Sequence, residues 1–142
     1  RRKLFQENGE TYKKVLQIIK NTAELAIKSE NNNLREMGEL LFKSLDIIED
    51  CSVWLIDKYE ENPEISAAGA TPFLNMFGWV LGGWVMLNSA NKAQLIILKD
   101  KNNKFAKEKI NTASFFCNTY LPLASSLQNT IKKSFYALEN FN

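Results

Sequence analysis

The stretch from Ile65 to Asn91 constrains the fold of this chain more than any other feature. Its 27 residues carry no charge, and they include two of the three tryptophans and four of the six glycines. On either side, charged residues recur every few positions. About 20 apolar residues are enough to cross a membrane as a helix. The stretch is therefore either a helix buried on all sides in a helical bundle or a membrane span.

Length and composition restrict the class of protein. The 142 residues fit one domain, which needs no disulfide or metal for stability. The net charge of +2, without a basic stripe, argues against a nucleic-acid partner. Because the chain has no histidine, histidine-based catalysis and histidine metal sites are excluded. Cys51 and Cys117 lack the spacing of metal ligands and indicate buried thiols in a reducing compartment. We therefore predict a cytoplasmic location. The alternative state of the two cysteines is a Cys51–Cys117 disulfide.

Apolar residues at spacings of three and four predict two helices before the uncharged stretch. The first runs from about Glu10 to Ser29. The second runs from about Leu34 to Glu61, where Asn62-Pro63 ends it because the residue before proline is pushed out of the α region. We expect residues 1–9 to be a connector from a missing upstream region, and residues 10–142 to form the domain.

The third predicted helix contains the uncharged stretch and continues to Leu98. At 100° per residue one face is bulky, with Phe73, Phe77, Val80, Trp84 and Leu87. The opposite face is small, with Thr71, Asn75, Gly78, Gly82, Val85 and Ser89. Because both faces are apolar, the helix is predicted to have neighbours on both sides.

A proline interrupts the fourth predicted helix, which begins near Lys104. Pro122 removes one backbone hydrogen bond and predicts a kink between Tyr120 and Pro122. Since the connecting turns are short and no stretch predicts a strand, the chain is predicted to be all-α. We expect an antiparallel up-down-up-down four-helix bundle, with a central apolar helix three and a proline-kinked helix four.

No pattern in the sequence indicates a catalytic residue, a cofactor-binding residue or a metal ligand. The GxxxG motif from Gly78 to Gly82 is typical of membrane dimerisation faces. However, Glu60, Glu61 and Glu64 precede the stretch, and three amphipathic helices need a shared core, so we predict no membrane span. The predicted structural core consists of Phe73, Phe77, Gly78, Gly82, Gly83, Trp84, Phe116 and Pro122.

Two segments resemble a known protein family. Residues 68–74 (AGATPFL), followed by Phe77-Gly78 and Gly82-Gly83-Trp84, resemble the central helix of the C-terminal-like domain of acyl-CoA dehydrogenases. Residues 109–116 (KINTASFF) and 121–124 (LPLA) resemble the last long helix of that domain. The domain is an extra helical module appended to the flavoenzyme body, and methylthiopropionyl-CoA dehydrogenase-like enzymes carry it.

The resemblance implies a parent enzyme that uses FAD to oxidise an acyl-CoA thioester between its α and β carbons. In such enzymes a glutamate takes the α proton and the flavin takes a hydride. No position here matches that glutamate or the FAD-contacting motifs. The implied role is therefore structural, without catalysis or a cofactor in this fragment, and it supports the dehydrogenase body, its dimer or its acyl entrance.

The resemblance also implies partners, and two other readings stay open. The implied partners are the upstream dehydrogenase body, the acyl-CoA substrate of the parent, and further copies in a homo-oligomer. The first alternative is an independent helical module that binds a partner helix or an apolar ligand through the faces of helix three. The second is a membrane-anchored protein.

Overall fold

The computed structural model describes the backbone of residues 2–64 and 70–141 and the side chains of residues 9–64 and 70–133. Within these ranges the chain is all-helical, as predicted, and contains no strand. The helices are α1 (Arg2–Ile27), α2 (Asn32–Glu61), α3 (Ala70–Lys99), α4 (Lys104–Tyr120) and α5 (Leu123–Phe141). The first part of the uncharged stretch, residues 65–69, lies outside the described residues.

The start of α1 differs from the prediction, whereas the start of α2 has a local cause in the sequence. Because α1 begins at Arg2, the segment expected to be a connector is already helical. At the next helix, the side-chain oxygen of Asn31 accepts hydrogen bonds from the backbone N–H groups of Asn33 (2.9 Å) and Leu34 (3.3 Å). This N-cap satisfies backbone donors that the first turn of a helix leaves free, and it fixes where α2 starts.

Pro122 separates two helices instead of kinking one. The backbone N–H of Leu121 still donates to the carbonyl of Cys117, at 3.1 Å. Pro122 has no N–H to offer, and the next such bond runs from Ala124 to the carbonyl of Leu121, also at 3.1 Å. The predicted fourth helix is therefore α4 followed by α5.

The helices pack around a single apolar core, in which α2 and α3 each contact every other helix. All five helices contribute fully or almost fully buried side chains, among them Ile19, Leu41, Ile48, Leu87, Ile110 and Ile131. Ser44, a buried polar residue, donates its hydroxyl to the carbonyl of Leu40 at 2.8 Å. Apolar burial of this extent is the main stabilising contribution to the fold.

The buried side of α3 differs from both of the faces that were predicted for it. Its buried residues are Met76, Val80, Gly83, Leu87, Ala90 and Ala93. Phe73, Phe77 and Trp84 are only partly buried, at the edge of the core. The prediction that α3 has neighbours on both sides is wrong for its outer side, where Leu74 and Val85 are 66% and 57% exposed. The other helices surround the inner side of α3 and leave this side uncovered.

Candidate functional site

The titratable residues of the described part of the chain do not form a reactive cluster. Among those residues, no group of three or more histidine, cysteine, aspartate or glutamate side chains could hold a metal ion. The two cysteines are free and buried. Burial raises the pKa of the Cys51 thiol to about 11 and that of the Cys117 thiol to about 12. Both thiols are therefore protonated at neutral pH, and a thiol is a poor nucleophile compared with its thiolate.

The most unusual surface of the molecule is the uncovered side of α3. We define the outer stripe as Leu74, Gly78, Leu81 and Val85, which recur at spacings of four, three and four and so share one face of the helix. Leu74 and Val85 are exposed, and Leu81 is half-buried. A Cβ atom added at Gly78 would meet no atom within 4 Å. This face carries no charged residue until Lys92.

Contacts with α1 hold one edge of the outer stripe. The indole Nε1 of Trp84 donates to the hydroxyl of Thr22 at 2.9 Å, and the side-chain amide of Asn91 donates to the carbonyl of Thr22 at 3.3 Å. Ile18 and Leu25 lie one turn before and one turn after Thr22, and they are 53% and 62% exposed. The apolar surface of the stripe therefore continues onto α1.

Contacts with α4 hold the opposite edge. Gly82 lies against Phe116, so that an added Cβ atom would come within 2.6 Å of the Cζ of that ring. The ring of Phe116 packs on the ring of Tyr120 with centroids 4.7 Å apart. The neighbouring Phe115 points away from the core and is 72% exposed. The outer stripe is thus the middle of an apolar surface that extends over three helices.

The structure divides the predicted core residues into three groups. Gly83 is buried beneath Leu121, whose Cδ2 would lie 2.9 Å from an added Cβ atom. Phe73, Phe77, Trp84 and Phe116 pack against the core while partly exposed, and Gly82 is also partly exposed. Gly78 and Pro122 are exposed, so their assignment to the core is wrong. Gly78 faces away from the other helices, and Pro122 lies in the turn between α4 and α5.

One close helix contact was not predicted from the sequence. Gly38 of α2 is buried against α1, where an added Cβ atom would lie 2.7 Å from the carbonyl oxygen of Ala23 and 2.9 Å from the backbone nitrogen of Ile27. A glycine on the apolar stripe of an amphipathic helix, next to Met37, is the signal in the sequence. Because the atoms it meets are backbone atoms, the close approach of α1 and α2 requires glycine here.

Two of the shallow hollows on the described surface were compared with FAD, and neither fits it. One, of about 340 Å³, is lined by Glu36, Glu39, Leu40, Lys43 and Asn118. The other, of about 240 Å³, is lined by Met86, Ser89, Phe105, Glu108, Lys109 and Thr112. Ligand pockets usually enclose most of the ligand. Both hollows are open and small for a dinucleotide, and the two carboxylates of the first would repel the pyrophosphate.

By length and composition alone, α3 could cross a membrane, and it is the one such helix among those described. In the most apolar 18-residue segment of α3, 22% of the residues are buried within the molecule. A core helix of a bundle passes the same test, so this composition does not by itself identify a span. The hydrogen bonds from Trp84 and Asn91 to α1 show instead that one side of α3 is packed against its own chain.

The sequence of the helices that bear this surface matches a known protein family. The family described as acetyl-CoA dehydrogenase C-terminal like matches residues 15–138, which include all of α2, α3 and α4. The chain belongs to the acetyl-CoA dehydrogenase C-terminal-like family. Both segments on which the resemblance was based lie within the match, so the predicted family is confirmed. A search of the curated proteins and a search of the solved structures found no match.

Proposed function

We propose that this chain is a structural accessory domain of an FAD-dependent acyl-CoA dehydrogenase, and that the outer stripe of α3 docks on the dehydrogenase body. The family match supports the dehydrogenase context. The observation that carries the docking is the exposure of Leu74 and Val85 in a helix that is apolar on both sides. Contiguous exposed apolar surface of this kind is rare on monomers and marks interaction sites.

In this proposal the chemistry belongs to other domains of the parent enzyme. The protonated thiols of Cys51 and Cys117 are not nucleophiles at neutral pH. The two hollows do not fit the flavin. FAD, the acyl-CoA substrate and the glutamate that takes the α proton are therefore assigned to the parent enzyme, and this domain supports the body, its dimer or its acyl entrance.

The proposal also covers the directions of the helices, the location of the protein in the cell and its oligomeric state. The side-chain amide of Asn31, just before α2, donates to Gln94 near the end of α3, at 3.2 Å. This contact supports opposite directions for α2 and α3, as in an up-down bundle. It also supports a bundle helix over a membrane span for α3. We further propose that residues 10–142 form the helical domain, and that the protein is a cytoplasmic homo-oligomer.

The docking test compares two exposed valines in the parent enzyme. Val85, on the outer stripe, is 57% exposed, and Val53, on α2, is 60% exposed. In the isolated chain, Val85→Glu and Val53→Glu should both leave the free energy of unfolding nearly unchanged, because both side chains face water. In the parent enzyme only Val85→Glu should weaken docking, since it places a charge in an apolar interface. Limited proteolysis between domains would report the loss.

Three results would contradict the proposal. The docking assignment fails if Val85→Glu and Val53→Glu release the domain equally, or if neither does. The assignment of the chemistry to other domains fails if the isolated chain shows a flavin spectrum or oxidises an acyl-CoA with an electron acceptor. The dehydrogenase context fails if the sequence preceding Arg1 encodes no acyl-CoA dehydrogenase body.

A second candidate is favoured by the open space at Gly78. An independent helical module would bind a partner helix in trans on the outer stripe, where a backbone can approach Gly78 because nothing lies within 4 Å of its missing Cβ. The two candidates use the same surface with different partners. The sequence preceding Arg1 distinguishes them, since only the first requires a dehydrogenase body there.

A further inference from the structure

A second surface, at one end of the molecule, carries charge that the outer stripe lacks. We define the α3–α4 tip as residues 92–109, the last turns of α3, the turn after it and the first turns of α4. The tip contains six lysines and two acidic residues, Asp100 and Glu108. It therefore carries a net charge of +4, whereas the whole chain carries +2 and the remainder is net acidic.

The lysines of the tip face solvent. They are Lys92, Lys99, Lys101, Lys104, Lys107 and Lys109, and all six are exposed. The ion pairs between described residues involve Lys58 and Lys132, and none of the six tip lysines. The Nζ of Lys109 lies 5.4 Å from the centre of the Phe105 ring. Glu36 and Glu39 of α2 line a separate hollow together with Asn118 of α4.

Large apolar side chains stand among these lysines. Leu95, Leu98 and Phe105 are 63%, 67% and 65% exposed, and Ile96 is 41% exposed. Leu98 is the clearest case, because it lies 18 residues, or five helical turns, after the fully buried Val80 and so points in the same direction. A residue on the inner face of α3 is thus exposed at the tip.

The exposure of Leu98 has a geometric cause. Asn31, in the turn between α1 and α2, donates to Gln94, so α1 ends and α2 begins beside Gln94. The five residues from there to Lys99 extend α3 by about 7 Å beyond that turn. The tip therefore protrudes, with apolar side chains at its end and lysines around them.

We propose that the α3–α4 tip binds the surface of an anionic phospholipid membrane. Lysines near such a surface are attracted by the negative headgroups, and exposed leucine and phenylalanine side chains insert at the boundary between headgroups and acyl chains. A protruding end allows both at once without moving the packed helices. This proposal does not depend on what covers the outer stripe, which lies toward the other end of α3.

A membrane fits the tip better than an acidic protein surface does. A protein partner selects a defined arrangement of salt bridges, whereas the tip lysines lie on two helices and a turn and point in different directions. Lysine, with a flexible stem, can bury its methylene groups along apolar surface while its ammonium group stays at the headgroups. The tip has six lysines and no arginine, which is the residue preferred for fixed bidentate contacts.

Flotation of the complete 142-residue chain with vesicles tests the proposal. The chain should bind phosphatidylcholine vesicles that contain about 30% phosphatidylglycerol, and it should not bind pure phosphatidylcholine. Lys101→Gln and Lys104→Gln should each lower the partition coefficient about fivefold. Leu98→Ser should lower it roughly tenfold or more, because an apolar side chain no longer inserts.

Matched controls separate the tip from the rest of the surface. Leu74 is 66% exposed, almost the same as Leu98 at 67%, but it lies about 36 Å away along α3. Leu74→Ser and Lys133→Gln should therefore leave binding unchanged. Circular dichroism of each variant checks that the fold is retained.

Several outcomes would overturn the proposal. The chain fails to bind anionic vesicles, or it binds neutral and anionic vesicles equally. Leu74→Ser weakens binding as much as Leu98→Ser does, which would assign the lipid contact to the outer stripe. Finally, the tip substitutions leave vesicle binding intact but disrupt assembly of the parent enzyme, which would make the tip a protein contact.

Discussion

The two sides of α3 have similar composition and opposite environments. Met76, Val80 and Leu87 on the inner side are fully buried by the other helices. Leu74 and Val85 on the outer side face solvent. Burial of apolar surface is favourable whether the atoms that exclude water belong to the same domain or to another one. The comparison teaches that an apolar sequence reveals the need for a neighbour, but it does not reveal whether that neighbour belongs to the same domain.

The largest expected difference between the two sides concerns two leucines. Leu87→Ala should lower the free energy of unfolding by about 2–5 kcal/mol, because it removes a fully buried side chain and leaves a cavity. Leu74→Ala, at a position that is 66% exposed, should change it by about 0.5 kcal/mol or less. Urea denaturation of the isolated chain measures both. Equal losses would mean that the outer side is covered within this domain.

Substitutions that enlarge two glycines of α3 test the difference between the buried side and the exposed side. Gly83→Leu should destabilise the chain by about 1–3 kcal/mol or more, since an added Cβ atom already lies 2.9 Å from Leu121. Gly78→Leu should be neutral or stabilise the chain by up to about 1 kcal/mol, because the site is open and leucine favours a helix more than glycine does. Thermal unfolding followed by circular dichroism distinguishes the two. A destabilising Gly78→Leu would contradict the open outer face.

The boundary between the two sides has a hydrogen bond that can be removed. Trp84→Phe deletes the donor to the Thr22 hydroxyl, at 2.9 Å, and should cost about 1 kcal/mol. Trp79→Phe is the control, since the Trp79 ring contacts Tyr120 with centroids 6.4 Å apart and its indole has no hydrogen bond within the described part of the chain. Equal losses for the two variants would show that the Trp84 bond does not hold α1 at this edge.

The smallest expected effect concerns a polar contact far from α3. Hydrogen bonds from Lys132 (2.9 Å) and Gln128 (2.6 Å) lower the pKa of the Asp50 carboxyl below its usual value of 3.8. This contribution is present above pH 3.8 and is lost as the pH falls through the lowered pKa. Because Asp50 is exposed, it is worth about 0.5 kcal/mol or less.

The pH dependence of stability tests that contact. Urea denaturation at several pH values should show Asp50→Asn slightly less stable than the original chain at neutral pH and equally stable at acidic pH. A constant difference over the whole range would show that the charge of Asp50 is not involved. The loss should stay well below that of Leu87→Ala, as expected if apolar packing dominates the fold.

Much of the fold could be predicted from the sequence, because it is encoded locally. The three-four spacing predicted α1 and α2, and the observed N-cap at Asn31 is also a local feature of the sequence. The break at Pro122 was located correctly, but its consequence was not. A proline marks where backbone hydrogen bonds are lost, whereas the choice between a kink and two helices depends on how Leu121 and Ala124 pack.

The orientation of α3 could not be predicted for a physical reason. Orientation is inferred from the contrast between an apolar and a polar face, and a helix that is apolar all round provides almost no contrast. Side-chain size separated a bulky face with Phe73, Phe77 and Trp84 from a small face, and both faces were expected to have neighbours. The structure places small residues such as Gly83 and Ala90 on the buried side, where Gly83 lies against Leu121. The site, the uncovered outer stripe, follows from this orientation.

The measurement that tests the central claim most directly is photo-crosslinking in the parent enzyme. A benzoylphenylalanine introduced at Val85 should crosslink to the dehydrogenase body, and the same probe at the equally exposed Val53 should not. Mass spectrometry of the crosslinked peptides would identify the contacted segment. Crosslinks to the body from position 53 but none from position 85 would contradict the assignment of the outer stripe of α3 as the docking surface.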